Sequence, residues 1–257
     1  MARRDKPWQL TATRREVQGV NATSKAGEKI PGPARARPMI GDLVEFGQLT
    51  QVSYMLVGPL GSGKTTYAEA FLAEGIELGF PAVFVTTDVS PRVIRNDMSR
   101  HGWTIEEQEA SGQFVFIDGY SERMGAPRSG GARSLAKVDD ISELGIVLSE
   151  VLESLVVARV VIDSLSTLIL HSNAATMPRA VQRLSGRITQ SSHSIMYVLE
   201  EGVHDEKTYA TFSYMADAVL RFRVEDTDDG PIHQLRMERM RGTDTSRVWH
   251  DFIIERR

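Results

Sequence analysis

The stretch Gly58-Pro-Leu-Gly-Ser-Gly-Lys-Thr65 constrains this chain more than any other, because it fits G-x-x-x-x-G-K-[ST] at every fixed position. Ser53-Tyr-Met-Leu-Val57 before it reads as a short buried strand. After it, Ala68, Phe71, Leu72, Gly75 and Ile76 share one face at helical spacing. Strand, glycine loop and helix start form the context in which this motif holds phosphates. Glycines let the backbone close around an anion so that several N–H groups converge on it. The helix start adds unpaired N–H groups and a positive dipole end. The expected cradle is Gly58, Pro59, Leu60, Gly61, Ser62, Gly63, Lys64, Thr65 and Thr66. Lys64 is expected to reach the β- and γ-phosphates, and the Thr65 hydroxyl to ligate Mg²⁺. The plain alternative, a glycine-rich turn with an exposed lysine, ignores the agreement of the flanking pattern.

The rest of the chain alternates strands and helices. Ala82–Thr86, Gln113–Ile117, Arg159–Asp163 and Ile195–Leu199 read as further buried strands. Between them the pattern predicts helices after Ser90-Pro91, over Thr104–Ser111 with Glu107 at capping-box spacing, over Asp140–Val157, and from Thr176. Val93, Ile94 and Met98 should share one side of the first of these. Residues 119–138 are rich in Gly, Ser and Arg without an apolar period, which is long for a structureless loop. Met39 to Phe46 could be a short strand or one helical turn. Ala218–Val224, Ile232–Met240 and Val248–Ile254 follow as strands, with Asp228-Asp-Gly230 as a hairpin signal. The fold class expected is α/β: a mostly parallel sheet flanked by helices, with ligands at the strands' C-terminal edge and an antiparallel C-terminal extension.

Composition adds limits. The 257 residues suffice for one large α/β domain. With no cysteine, disulfides and thiolate metal sites are excluded. No apolar run approaches the roughly 20 residues of a membrane span, and the N-terminus lacks a signal-peptide core, which points to the cytoplasm. Charge is uneven: residues 1–40 carry nine Lys/Arg against three Asp/Glu, a net +6 that leaves −10 for the remainder. The domain is expected at 38–257. Residues 1–37 read first as a solvated, disordered basic arm, and otherwise as a contact for nucleic acid, an anionic membrane or an acidic partner.

Asp163, ending an apolar strand about a hundred residues after the loop, fits a carboxylate that holds Mg²⁺. Asp88 is the candidate for orienting the attacking water, and the alternative for it is capping of the Pro91 helix. Glu200 and Glu201 are rivals better suited to sensing the γ-phosphate or pairing with a base. Arg239 and Arg241 alternate on a strand, so one face could present two guanidinium groups to a neighbouring subunit's γ-phosphate.

Phe84-Val-Thr-Thr-Asp88, the Ile94–Gly102-Trp103 segment, Phe116-Ile-Asp118, Val161-Ile-Asp-Ser-Leu-Ser-Thr167 and Arg241-Gly-Thr243 follow the phosphate loop in order. Together they resemble the archaeal KaiC-like ATPases of the RecA/RadA superfamily over about residues 50–255. Ile141 to Leu155 and Leu199-Glu-Glu-Gly-Val-His-Asp-Glu206 are similar to its single-domain branch. The resemblance implies a RecA-type P-loop NTPase core, ATP with Mg²⁺, and a homo-oligomeric ring, a hexamer among the forms, or a filament with nucleotide at subunit boundaries. It puts Asp88 at the first of two adjacent catalytic glutamates and Val89 at the second, a departure that counts against fast turnover. It also puts Arg239 and Arg241 on a basic pair that reaches across the subunit boundary.

Three functions follow as expectations. The first is a slow ATPase using Lys64, Thr65, Asp163 and Asp88. The second is a nucleotide-gated scaffold that recruits a protein partner of unknown identity. The third, less favoured, is a recombinase paralogue binding DNA through Arg123, Arg128, Arg133 and Lys137, where only Tyr120 offers stacking. A small-molecule kinase is disfavoured, because no arginine-rich lid follows the fourth strand.

Overall fold

The computed structural model describes residues 34–43, 49–127, 130–137, 140–173 and 175–255. All lie in the second of the two units into which the chain divides, Met1–Pro31 and Gly32–Arg257. In chain order the elements are β1 (Arg35–Arg37), α1 (Ile40–Leu43), β2 (Ser53–Gly58), α2 (Lys64–Glu77), β3 (Ala82–Thr86), α3 (Pro91–Arg100) and α4 (Glu106–Ala110). Then come β4 (Phe114–Asp118), α5 (Ser121–Met124), β5 (Arg133–Ser134), α6 (Ile141–Leu152), β6 (Arg159–Asp163), α7 (Leu165–His171) and α8 (Met177–Gln190). The last are β7 (Ser194–Glu200), α9 (Glu206–Met215), β8 (Ala218–Thr227), β9 (Gly230–Met240), β10 (His250–Asp251) and β11 (Ile253–Glu255).

Nine strands form one sheet in the order β10-β9-β8-β2-β7-β6-β3-β4-β5. From β8 to β5 every pairing is parallel. Such a sheet needs cover on both faces. β2 shows how the sequence meets this need: all six residues are buried, and they alternate between two cores. Tyr54 and Leu56 join Phe71, Phe84, Ile94 and Met98 under α2 and α3. Met55 and Val57 join Leu144, Leu148, Val181 and Leu184 under α6 and α8. In α3 the buried residues are Pro91, Ile94 and Met98, whereas Val93 is exposed, one position off that stripe. α4 carries no side-chain cap, so the capping box expected at Glu107 does not form.

The antiparallel extension begins one strand later than expected. β8 runs parallel to β2, and within the nine-stranded sheet the antiparallel pairings are β8 with β9 and β9 with β10. The cause is α9, which lies between β7 and β8 and returns the chain so that β8 enters in the parallel sense. Phe212 is the one fully buried residue of α9, with Tyr209 and Met215 partly buried on either side of it, a stripe too short and too polar in its surroundings to announce a helix. α7 also was not expected, although Leu165, Leu168 and Ile169 have helical spacing and are buried.

β1 and β11 make a second, two-stranded sheet. Arg35–Arg37, assigned to the arm, pair antiparallel with Ile253–Glu255 as β1 and β11. The Trp103 indole N–H donates to the Ala34 carbonyl at 2.8 Å. Three residues with one buried alanine are too short to show a period. The expected last strand, Val248–Ile254, is split accordingly: β10 stays on the main sheet and β11 leaves it for β1. Residue 39 and the helical turn α1 resolve part of the Met39–Phe46 ambiguity, with residues 44–48 outside the described set. Residues 1–33, and with them nearly all of the basic arm, also lie outside it, as does Arg128.

Candidate nucleotide site

The C-terminal ends of β2, β7, β6 and β3 lie side by side and carry the chemistry. After β2, Gly61 and Gly63 adopt φ of 75° and 91°, a region where side chains other than glycine are strained. A Cβ on Gly63 would also meet the Phe252 ring at 3.0 Å. Gly63 is the N-cap of α2 and offers no side-chain bond, and no acid sits in the first turn. The N–H groups and positive dipole end of α2 are therefore left for an anion. Gly58 faces a different constraint. A Cβ there would lie 2.7 Å from the Phe222 carbonyl oxygen and 2.8 Å from its Cβ, so β8 leaves room only for hydrogen. Gly58→Ala is expected to cost about 1–3 kcal/mol of stability, read as a lower urea midpoint; an unchanged midpoint would show that β8 yields.

Lys64 is 3% exposed, and its ammonium donates to Pro59 O at 2.7 Å, Gly58 O at 2.9 Å, Glu200 Oε2 at 3.0 Å and Ser62 Oγ at 3.3 Å. The Thr65 hydroxyl donates to Asp163 Oδ2 at 2.7 Å. Burial drives the Asp163 carboxyl up to about 7; the Thr65 hydrogen bond and Lys64 oppose this, while Asp88 and Glu200 add to it. A carboxylate so short of positive charge, paired with a hydroxyl, is an all-oxygen donor set of the kind that suits Mg²⁺. Such an ion would supply the missing charge and neutralise phosphate oxygens. The structure thus places Lys64 and the Thr65–Asp163 pair at the same sheet edge.

Asp88 follows β3, and it does not cap α3: the N-cap is Ser90, without a side-chain bond. Instead its carboxylate accepts from Ser164 Oγ at 2.8 Å, from Thr87 Oγ1 at 3.1 Å and from Thr167 Oγ1. Ser164 and Thr167 were not singled out in the sequence, although the polar residues straight after Asp163 hinted at them. Val89 packs against the core under α2 and α3 and brings no acid to the site. Arg123 Nη2 donates to Thr87 O at 2.6 Å, so this loop arginine is engaged within its own domain.

Arg239 and Arg241 both reach the end of α9. Arg239 Nη2 donates to Ser213 O at 2.7 Å and Ala216 O at 2.5 Å, anchoring the last turn. Arg241 contacts Tyr214 O at 3.3 Å and Asp217 at 3.6 Å, with its side chain 55% exposed.

A family model described as the ATPase KaiC matches residues 38–257. The chain belongs to the KaiC family of ATPases. Among curated relatives of this KaiC-family chain, a UPF0273 protein of Pyrococcus horikoshii is 24% identical over 219 residues, covering 84% of this chain and 88% of its own length. A UPF0273 protein of Thermotoga maritima is 26% identical, covering 83% and 88%. The circadian clock protein KaiC3 of Synechocystis is 27% identical over 203 residues, 78% of this chain and 39% of that protein. A crystal structure of a KaiC-like protein from Pyrococcus horikoshii superposes with a TM-score of 0.69 at 23% identity, covering 86% and 96%, and shows the shared RecA-type fold. KaiC-family membership makes this a nucleotide-binding protein of the RecA superfamily. No helix among the described residues is long and apolar enough to cross a membrane.

Proposed function

We propose that this KaiC-family protein binds Mg-ATP, hydrolyses it slowly, and works as an oligomeric regulatory switch. The observation that carries the reading is one sheet edge holding Lys64, the Thr65–Asp163 pair and Asp88. Lys64 and the start of α2 take the phosphates, Thr65 and Asp163 take the metal, and Asp88 orients water for attack on the γ-phosphate. Slow turnover follows from a single carboxylate at this place, because Val89 is apolar and packed inward. Arg241, more than half exposed, is suited to reach a neighbouring copy, while Arg239 holds α9 in place. Nucleotide would then sit at subunit boundaries, and its state would govern assembly.

The test is phosphate release from Mg-ATP at micromolar full-length protein, with particle mass measured with and without nucleotide. Phosphate release with a mass that depends on nucleotide supports the reading. A monomer of unchanged mass that releases no phosphate overturns it.

A further inference from the structure

Glu200 ends β7, and strand register sets it opposite Gly58, the first residue of the phosphate loop. The Glu201 N–H continues the ladder to Gly58 O at 2.8 Å. This register, rather than chance side-chain reach, brings the Glu200 carboxylate to 3.0 Å from the Lys64 ammonium. Glu200 is the anion among the four acceptors around that ammonium, which has only three protons to give. Both partners are largely shielded, at 3% and 19% side-chain exposure, so their attraction is weakly screened by water. In a loop of this sequence the lysine serves the β- and γ-phosphates.

We propose that Glu200 makes the site discriminate between nucleoside diphosphate and triphosphate, its carboxylate competing with the γ-phosphate for Lys64. This rests on the nucleotide-binding reading above. A diphosphate can share Lys64 with Glu200. A triphosphate brings a second anionic group to a cation already paired, and like charges at that range repel strongly in a shielded site. Triphosphate binding therefore turns the Glu200 side chain away, whereas diphosphate binding leaves it.

The displacement has a route outward. The Glu200 carbonyl accepts from the Tyr209 hydroxyl, which in turn accepts from the N–H groups of Val203 at 3.0 Å and His204 at 3.1 Å. Glu200 N–H donates to Ser166 Oγ at 2.8 Å. One residue thus ties Lys64 to the 201–205 turn and to α9, where Val203 and Tyr214 stand exposed. That surface reports which nucleotide is held.

The experiment measures equilibrium binding of Mg-ADP and Mg-ATP to the full chain, in an Asp88→Asn background so that ATP persists. Glu200→Gln keeps an acceptor for Lys64 and removes the charge. It is expected to raise ATP affinity relative to ADP by about tenfold or more. Glu200→Asp, which keeps the charge, should stay within about threefold of the parent ratio. Amide hydrogen exchange over 201–215 should differ between ATP and ADP in the parent and become alike in Glu200→Gln. An unchanged ratio in Glu200→Gln, or a weakened ATP affinity, overturns the proposal while nucleotide binding itself stands. Failure of the parent to bind either nucleotide overturns both.

Discussion

Asp88→Asn is expected to lower phosphate release by about 100-fold or more while Mg-ATP affinity stays within about threefold. The carboxylate stands apart from Lys64 and Thr65, on hydroxyls of Ser164, Thr87 and Thr167. Three donors fix its orientation, so the role proposed for this side chain is to hold a water in line more than to act as a base. Asparagine keeps the shape but offers an N–H₂ where an oxygen accepted, so one hydroxyl must turn and the water loses its acceptor. Single-turnover phosphate release and nucleotide titration on the same preparation separate the two effects. Equal losses of binding and turnover would mean that Asp88 only braces the start of α7. Undiminished turnover would hand the water to another carboxylate, with Glu200 and Glu201 the nearest in sequence to the loop's partner strand.

Glu69→Leu is expected to stabilise the protein by roughly 3 kcal/mol at pH 7, seen as a melting temperature higher by roughly 6–12 °C. Glu69 lies in α2 at 1% exposure, and its Oε1 has no hydrogen-bond partner. Burial, with Asp97 and Asp163 nearby, pushes its carboxyl from 4.5 up to about 9. The unfolded chain ionises this group above its ordinary value, while the folded chain keeps it protonated. Folding therefore takes up a proton between those limits, and the group's contribution becomes less favourable as pH rises from about 4.5 to about 9. Leucine abolishes the linkage and fills the apolar stripe shared with Leu72. Melting curves at pH 5, 7 and 9 should show the variant's advantage growing with pH. A constant advantage would show that Glu69 does not titrate in that range.

The register of partners, not residue type, separates what could be read from what could not. Glu69 falls on the same helical stripe as Leu72 and Ile76, so a lone acid there was visible in the sequence, but its proton was not. Asp163 was legible because an apolar strand announced it. Ser164 and Thr167 were not, since their value lies in reaching Asp88 across 76 and 79 positions of chain. α9 was hidden by a surface position that fully buries Phe212 alone, and with it went the direction of β8.

The sequence by itself determined the strand, glycine turn and helix start around Gly58–Thr65, much of the strand–helix alternation, and the place of Asp163 at a strand end, because each rests on local spacing and on glycine's freedom at positive φ. The tertiary structure alone decided that β8 is parallel, that β1 closes on β11, that Arg239 anchors α9, and that Glu200 stands on Lys64. These are contacts between segments distant in sequence, which spacing along a single segment does not encode.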